Sequence, residues 1–237
     1  MKTNTLIGCS SFNNRFWKGV FYPENLPSKK WFEFYCKHFD TYEFNGSFYK
    51  FPTLRIFQNW YEKAPDNFIF SVKAPKEITH IRKFENCNDL ITDFYEISRA
   101  GLKEKLGCIL FQFPPSYAFS VEKLQNIISN LNYEFKNVIE FRHQSWWNEQ
   151  VWNVFREYDI TFCSVSHPGL PETILKDFPL LYIRLHGVPK MFYSSYDSDK
   201  FLTIKNETDS QNSFVYFNNT ASEAGILNAL QLKELSL

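Results

Sequence analysis

Val138-Ile139-Glu140-Phe141-Arg142 sets two ionic side chains, two positions apart, in an otherwise apolar run. Side chains two apart on a strand share a face. Glu140 and Arg142 therefore point one way, and Ile139 and Phe141 the other. Outward from this stretch the pattern recurs: Glu43 and Asn45 flank Phe44, Ser71 and Lys73 flank Val72, and Arg184 and His186 alternate with Ile183 and Leu185. Gln112 stands one residue before the end of a further run, and Ser10 and Asn218 follow the first and last of the series.

The runs themselves lie at residues 5–9, 42–44, 68–72, 108–113, 138–141, 161–165, 180–185 and 214–217. Each is rich in β-branched or aromatic residues and bounded by Gly, Pro, Asn, Asp or Ser, the usual punctuation of strands. Helix-length stretches separate most of them: 28–38 with Ser28 as a cap, 53–63, 90–100 with Gly101 as its stop, 121–131 capped by Ser120, 148–158 with Ser145 as a cap, and 222–235. In 121–131 the apolar face reads Val121, Leu124, Ile127, Ile128 and Leu131. The weakest crossovers are 171–178, which is only a short helix, and 191–211, rich in Ser, Asp and Asn, whose helix is expected to be cut down.

Eight strands alternating with helices predict an α/β fold with a parallel sheet. The count, and the absence of a glycine-rich phosphate loop after the first strand, favour a (β/α)8 TIM-like barrel over an open doubly wound sheet. The 237 residues fit one such domain spanning 1–237, since single barrels run to about 250.

If the alternation holds, nearly every strand delivers a polar side chain into the barrel at its C-terminal end, where barrel enzymes keep their active sites. The expected catalytic set is Glu43, Glu140 and His186, with a carboxylate as general base and the imidazole as acid. The expected ligand-binding set is Asn45, Lys73, Gln112, Arg142, His143, Arg184 and Asn218. Two carboxylates against three cations leave a modest positive excess, which favours a small ligand carrying phosphate or carboxylate. One alternative is a binding module in which the same ring captures an anionic metabolite without chemistry; another is an internal salt network in which these ions satisfy one another. Trp17, Phe48, Tyr49, Tyr117 and Trp146 follow strands and either stack on a ligand or wall the pocket. His80 is read as a loop anchor, and His38 and His167 as structural or exposed.

Other chemistries are less favoured. Glu43, Glu140 and His186 suit zinc or manganese by type, but three cations in one cavity oppose a divalent ion, so no metal is expected. Nothing names a cofactor. Two carboxylates are the parts of a glycosidase, yet sequence does not fix their separation. No Ser nucleophile motif occurs. The 26 basic and 26 acidic residues balance, so no overall field draws nucleic acid, which stays the less favoured partner. Cys9, Cys36, Cys87, Cys108 and Cys163 are odd in number and lack metal-binding spacing, which fits free thiols in a reducing compartment. The opening residues 1–10 lack the apolar core of a signal peptide and no run reaches membrane-spanning length, so a cytoplasmic, membrane-free protein is expected.

The order of the short motifs carries a resemblance. Ile7-Gly8-Cys9-Ser10-Ser11 is followed by Trp17-Lys18-Gly19-Val20-Phe21-Tyr22-Pro23 and Tyr42-Glu43-Phe44-Asn45-Gly46-Ser47-Phe48-Tyr49. Phe70-Ser71-Val72-Lys73-Ala74-Pro75, Ile78-Thr79-His80 and Leu110-Phe111-Gln112-Phe113-Pro114-Pro115 come next. Glu140-Phe141-Arg142-His143, Arg184-Leu185-His186-Gly187, Phe217-Asn218-Asn219 and Asn228-Ala229 complete the set. In this order they resemble the domain-of-unknown-function 72 (DUF72, YecE-like) family over almost the whole chain. The resemblance implies a TIM-like barrel and no established reaction; likeness of such barrels to sugar-isomerase and endonuclease IV-like folds suggests metal or nucleic-acid chemistry by analogy only. Two departures stand out. Many relatives carry an acidic residue at the end of strand six, where this chain reads Cys163-Ser164-Val165-Ser166-His167-Pro168. The stretch 191–211 looks shortened, so the seventh loop is expected to leave the pocket wall incomplete or mobile.

Overall fold

The computed structural model describes residues 4–236. Its strands are β1 (Thr5–Cys9), β2 (Thr41–Phe44), β3 (Ile69–Lys73), β4 (Leu106–Phe113), β5 (Asn137–Phe141), β6 (Thr161–Phe162), β7 (Ser164–Ser166), β8 (Leu181–Leu185) and β9 (Ser213–Phe217). All pair in parallel, in two ladders ordered β1-β9-β8-β7 and β2-β3-β4-β5-β6. The expected sixth strand, 161–165, is therefore two pieces of one barrel strand. Cys163 is the joint: its N–H still reaches Ile139 O on β5 (2.9 Å), after which the chain turns to pair with β8.

The other seam, between β1 and β2, is closed by a side chain. The Tyr35 hydroxyl accepts from Cys9 N (2.8 Å) and donates to Thr41 O (3.0 Å), bridging the two strands where no ladder forms. Gly8 permits the approach, because a Cβ there would lie 2.5 Å from Thr41 O. Closure also shows in contacts across the interior. Tyr216 on β9 reaches Thr41 on β2 (2.5 Å) and Ser71 on β3 (2.9 Å) through its hydroxyl. Arg184 on β8 meets both Glu43 on β2 and Glu140 on β5. Only a sheet curled on itself brings these strands together.

Eight α-helices accompany the strands among the described residues: α1 (Trp31–Tyr35), α2 (Gly46–Tyr49), α3 (Leu54–Lys63), α4 (Asn88–Leu102), α5 (Val121–Asn130), α6 (Glu149–Glu157), α7 (Ser198–Thr208) and α8 (Ala224–Leu235). Several expectations need correcting. The helix expected at 28–38 is a 3-10 turn, Ser28–Lys30, followed by the short α1, and Ser28 caps nothing. Asn148, not Ser145, caps α6 by accepting from Val151 N (3.1 Å); Ser120 does cap α5. Val121 lies off the buried face, 48% exposed. Gly101 does not stop α4 but sits inside it, where a Cβ would come 2.4 Å from Phe57 Cβ on α3. The glycine lets two helices pack closely. No helix forms in 171–178, whereas α7 is a full eleven residues.

The core has two parts. Outside the barrel wall, Phe, Tyr and Trp side chains fill the layer between strands and helices, as where Phe141 stacks on Trp146 with centroids 3.9 Å apart. That is where the large aromatic content goes; Trp17, Tyr117 and Trp146 are buried in this layer and do not line the cavity at the barrel mouth. Inside the barrel a smaller cluster includes Cys108, Leu110, Val138, Tyr182, Phe214 and Tyr216, with Leu6 and Ile69 packed against it. All five cysteines are free. Among the described residues no helix is long and apolar enough to cross a membrane.

Candidate functional site

The alternation read from the strands is realised: Glu43, Glu140 and Arg184 meet inside the barrel and are 0–1% exposed. Arg184 clamps Glu43 with Nε at 2.9 Å from Oε2 and Nη2 at 2.6 Å from Oε1, and its Nη1 lies 2.5 Å from Glu140 Oε2. The second oxygen of Glu140 takes a close contact from Arg142 Nε. Tyr182 donates its hydroxyl to Glu43 Oε2 (2.8 Å), and Asn45 Nδ2 lies 3.2 Å from Glu43 Oε1. Burial by itself would raise the Glu140 pKa, but Arg142, Arg184 and His186 outweigh it and hold the carboxyl well below the usual range. Burial likewise opposes the Arg184 charge, and Glu140 and Glu43 overcome it. The internal salt network is thus real for four of the five ions, and it forms the floor of the mouth.

His186 sits on this floor, fully buried. Asn218 Nδ2 is 2.7 Å from its Nδ1, and Ser10 Oγ in turn donates to Asn218 Oδ1 (2.5 Å). Arg142 Nη2 lies 3.0 and 3.3 Å from the two ring nitrogens, so it faces the ring rather than the end of one lone pair. The network assigns the ring proton to Nε2, which points toward Glu140 Oε1 at 3.4 Å. Burial, then the neighbouring Arg142 charge, pushes the His186 pKa well below the ordinary histidine value, so the ring is neutral at pH 7.

Lys73 differs from the other ions. It ends β3, is 9% exposed, and donates to the neutral Gln112 Oε1 (2.9 Å) while lying 4.0 Å over the centre of the Phe48 ring. Among the described residues no carboxylate lies within ion-pair distance of it. An aromatic face returns about 0.5–2 kcal/mol to a cation, but loss of hydration, then repulsion from Arg184, dominates and lowers its pKa to about 7. Gln112 is held by its own bond to Phe113 O (2.8 Å).

Above the floor opens a cavity of about 300 Å³ lined by Asn45, Lys73, Gln112, Arg142, Arg184 and Asn218, with Phe48, Tyr49, Pro115, His167, Met191 and Phe192 around them. Every residue of the expected ligand-binding set except His143 is on this wall. His143 turns outward and accepts from Ser145 N (3.2 Å), capping the turn Gln144–Trp146. His167, read as structural or exposed, instead lines the cavity with its ring 5.6 Å from that of His186. The seventh loop is not missing from the wall. Met191 and Phe192 close that side, Phe192 N bonds His186 O (2.6 Å), and Tyr196 OH accepts from Gly187 N (2.8 Å). Asn45 Oδ1 and His167 Nδ1 are buried there without a protein partner among the described residues. Tyr182 had no distinguishing mark in the sequence beyond its inward register two residues before Arg184.

Parallel strands closed on themselves, with polar side chains converging at their C-terminal ends, define a TIM-like α/β barrel. Its family follows from comparison: residues 6–236 match the model described as protein of unknown function DUF72, and the chain belongs to that family. It is 26% identical over 196 residues to the UPF0759 protein YunF of Bacillus subtilis, covering 76% of this chain and 70% of that one. A match to the UPF0759 protein YecE of Escherichia coli K12 is 30% identical over 112 residues, 47% of this chain and 41% of the relative. The crystal structure of a DUF72 protein from Thermotoga maritima superposes with a TM-score of 0.86 at 26% identity, covering 98% of both chains. SacUVDE, at 14% identity and a TM-score of 0.53 over 98% of this chain and 99% of that one, shares the fold alone.

Proposed function

We propose that the barrel mouth binds a small ligand bearing a phosphate or carboxylate group. One observation carries this reading: Lys73 is a buried cation on the cavity wall with a neutral partner, while the carboxylates beside it are engaged by Arg184 and Arg142. The floor is close to balanced, so Lys73 sets the sign of the mouth as positive. The Arg142 guanidinium, 10% exposed, offers a second contact. Asn218, Gln112 and the unpartnered Asn45 Oδ1 orient polar groups of the ligand.

In this arrangement Glu43 and Glu140 hold the arginines in place, and His186 is a neutral hydrogen-bonding group. Proton transfer through either carboxylate would first have to break an ion pair inside the barrel. Calorimetry with sulfate, phosphate and dicarboxylates tests the reading. Saturable binding to the wild type, lost in Lys73→Met, is expected; equal binding by both proteins, or none by either, would overturn it.

A further inference from the structure

Lys73 combines four features that a point-charge anchor does not require. It is nearly buried, it opens onto a closed-floored cavity, its hydrogen-bond acceptor is the neutral Gln112, and its ammonium end rests against an aromatic face. A lysine kept for charge alone is better left solvated or paired with a carboxylate. Glu43 and Glu140 are close enough to act on Lys73 electrostatically, yet both are engaged by Arg184. The ε-amine is thereby denied a counter-ion, which is the environment that keeps an amine nucleophilic.

We propose that Lys73 is a covalent site that forms a Schiff base with a small carbonyl compound carrying an acid group, such as a 2-oxo acid or a phosphorylated aldehyde. This deepens the anion-binding reading above and rests on it. The neutral amine attacks the carbonyl carbon, forming the C–N bond while the C=O π electrons move to oxygen. Collapse of the carbinolamine breaks the C–O bond and forms C=N. Both amine protons leave with the carbonyl oxygen as water, so one carbonyl compound and one amine yield one imine and one water, with no oxidant or reductant. Arg142, on the same wall, holds the acid group, and Gln112 Oε1, within hydrogen-bond reach of Nζ, orients the amine. The fraction of neutral amine supports the step, since burial brings the Lys73 pKa to about 7.

The test uses the full chain with pyruvate and, separately, glycolaldehyde phosphate, each followed by borohydride reduction and intact-mass and peptide mapping. The expected result is one adduct per chain, heavier by the carbonyl compound less one oxygen, located on Lys73. Its formation rate should rise with pH and level off above about 7. Lys73→Met should form no adduct under the same conditions. No reducible adduct, or labelling spread over surface lysines with Lys73 unmodified, overturns the Schiff-base assignment. Sulfate binding that persists without any adduct separates that failure from failure of the anion site itself.

Discussion

Arg184 and Glu43 lie 141 residues apart in the chain and meet inside the barrel through three nitrogen–oxygen contacts of 2.6–3.2 Å. The pair ties β8 to β2, and the other end of the same guanidinium ties both to Glu140 on β5. One planar cation therefore locks three strands of the wall and two buried anions at once. Its five fixed donors suit this better than an ammonium would.

Removing that cation leaves two carboxylates buried together. Arg184→Met is expected to cost about 3–5 kcal/mol of unfolding free energy. Adding Glu43→Gln and Glu140→Gln should restore part of the loss, because the residual like-charge repulsion disappears. Urea denaturation of the single and triple variants measures both. A triple variant less stable than the single one would show that repulsion is not the dominant cost.

Acid should destabilise the protein in two stages. Folding favours neutral His186, whose folded pKa lies below the ordinary value of about 6.5, so the unfolded chain takes up more protons as pH falls below that point and stability drops. His80, brought to about 4 by burial and then Lys73, acts in the same direction. Glu140 is depressed, so its contribution is intact above the ordinary carboxylate range and lost only as pH falls through its folded pKa, well below 4.5. His186 alone can give a slope of up to about 1.4 kcal/mol per pH unit in the upper stage. Denaturation midpoints between about pH 8 and 4 should show that slope, flattened in His186→Gln. A level profile down to about pH 5 would contradict the first stage.

Anion binding should fade as Lys73 loses its proton. Sulfate keeps a constant charge near neutrality, so its affinity should fall as pH rises through about 7, by roughly ten- to hundred-fold for one charge-assisted hydrogen bond. In Lys73→Arg the affinity should be independent of pH over that range. Calorimetry at several pH values reads the difference. A wild-type affinity that holds steady would place the anion elsewhere.

Gly101→Ala should destabilise the protein even though alanine favours a helix. The gain in propensity is roughly 1 kcal/mol, whereas forcing a methyl to within 2.4 Å of Phe57 Cβ costs roughly 1–3 kcal/mol. A net loss of about 1 kcal/mol is expected in thermal or chemical denaturation. A more stable Gly101→Ala would mean that α3 and α4 can separate at no cost.

Much of the architecture was legible because strand alternation is a local property. Glu43, Glu140, Arg184 and His186 were read as inward-facing from their two-residue spacing, and the pleat places them there. Helix boundaries were less legible where tertiary contacts override local preference. Gly101 carries the mark of a helix stop, yet it sits within α4 because Phe57 needs the space. His143 lies beyond the end of β5 and caps the Gln144–Trp146 turn, which directs its ring to Ser145 and not to the cavity. His167 could not be placed from its neighbours, since its position depends on how the chain leaves β7.

From the sequence alone came the strand-and-helix alternation, the parallel barrel, the family resemblance and the list of polar side chains entering the mouth. These follow from periods of two and of about three and a half residues, which act between near neighbours. Only the tertiary structure decided which of those ions neutralise one another. That depends on which strands oppose across the closed barrel, so Arg184 finds Glu43 and Glu140, Arg142 joins Glu140, and Lys73 is left facing Gln112 and the cavity. Charge pairing falls steeply with distance in a low-dielectric interior, and distances between remote strands are set by closure.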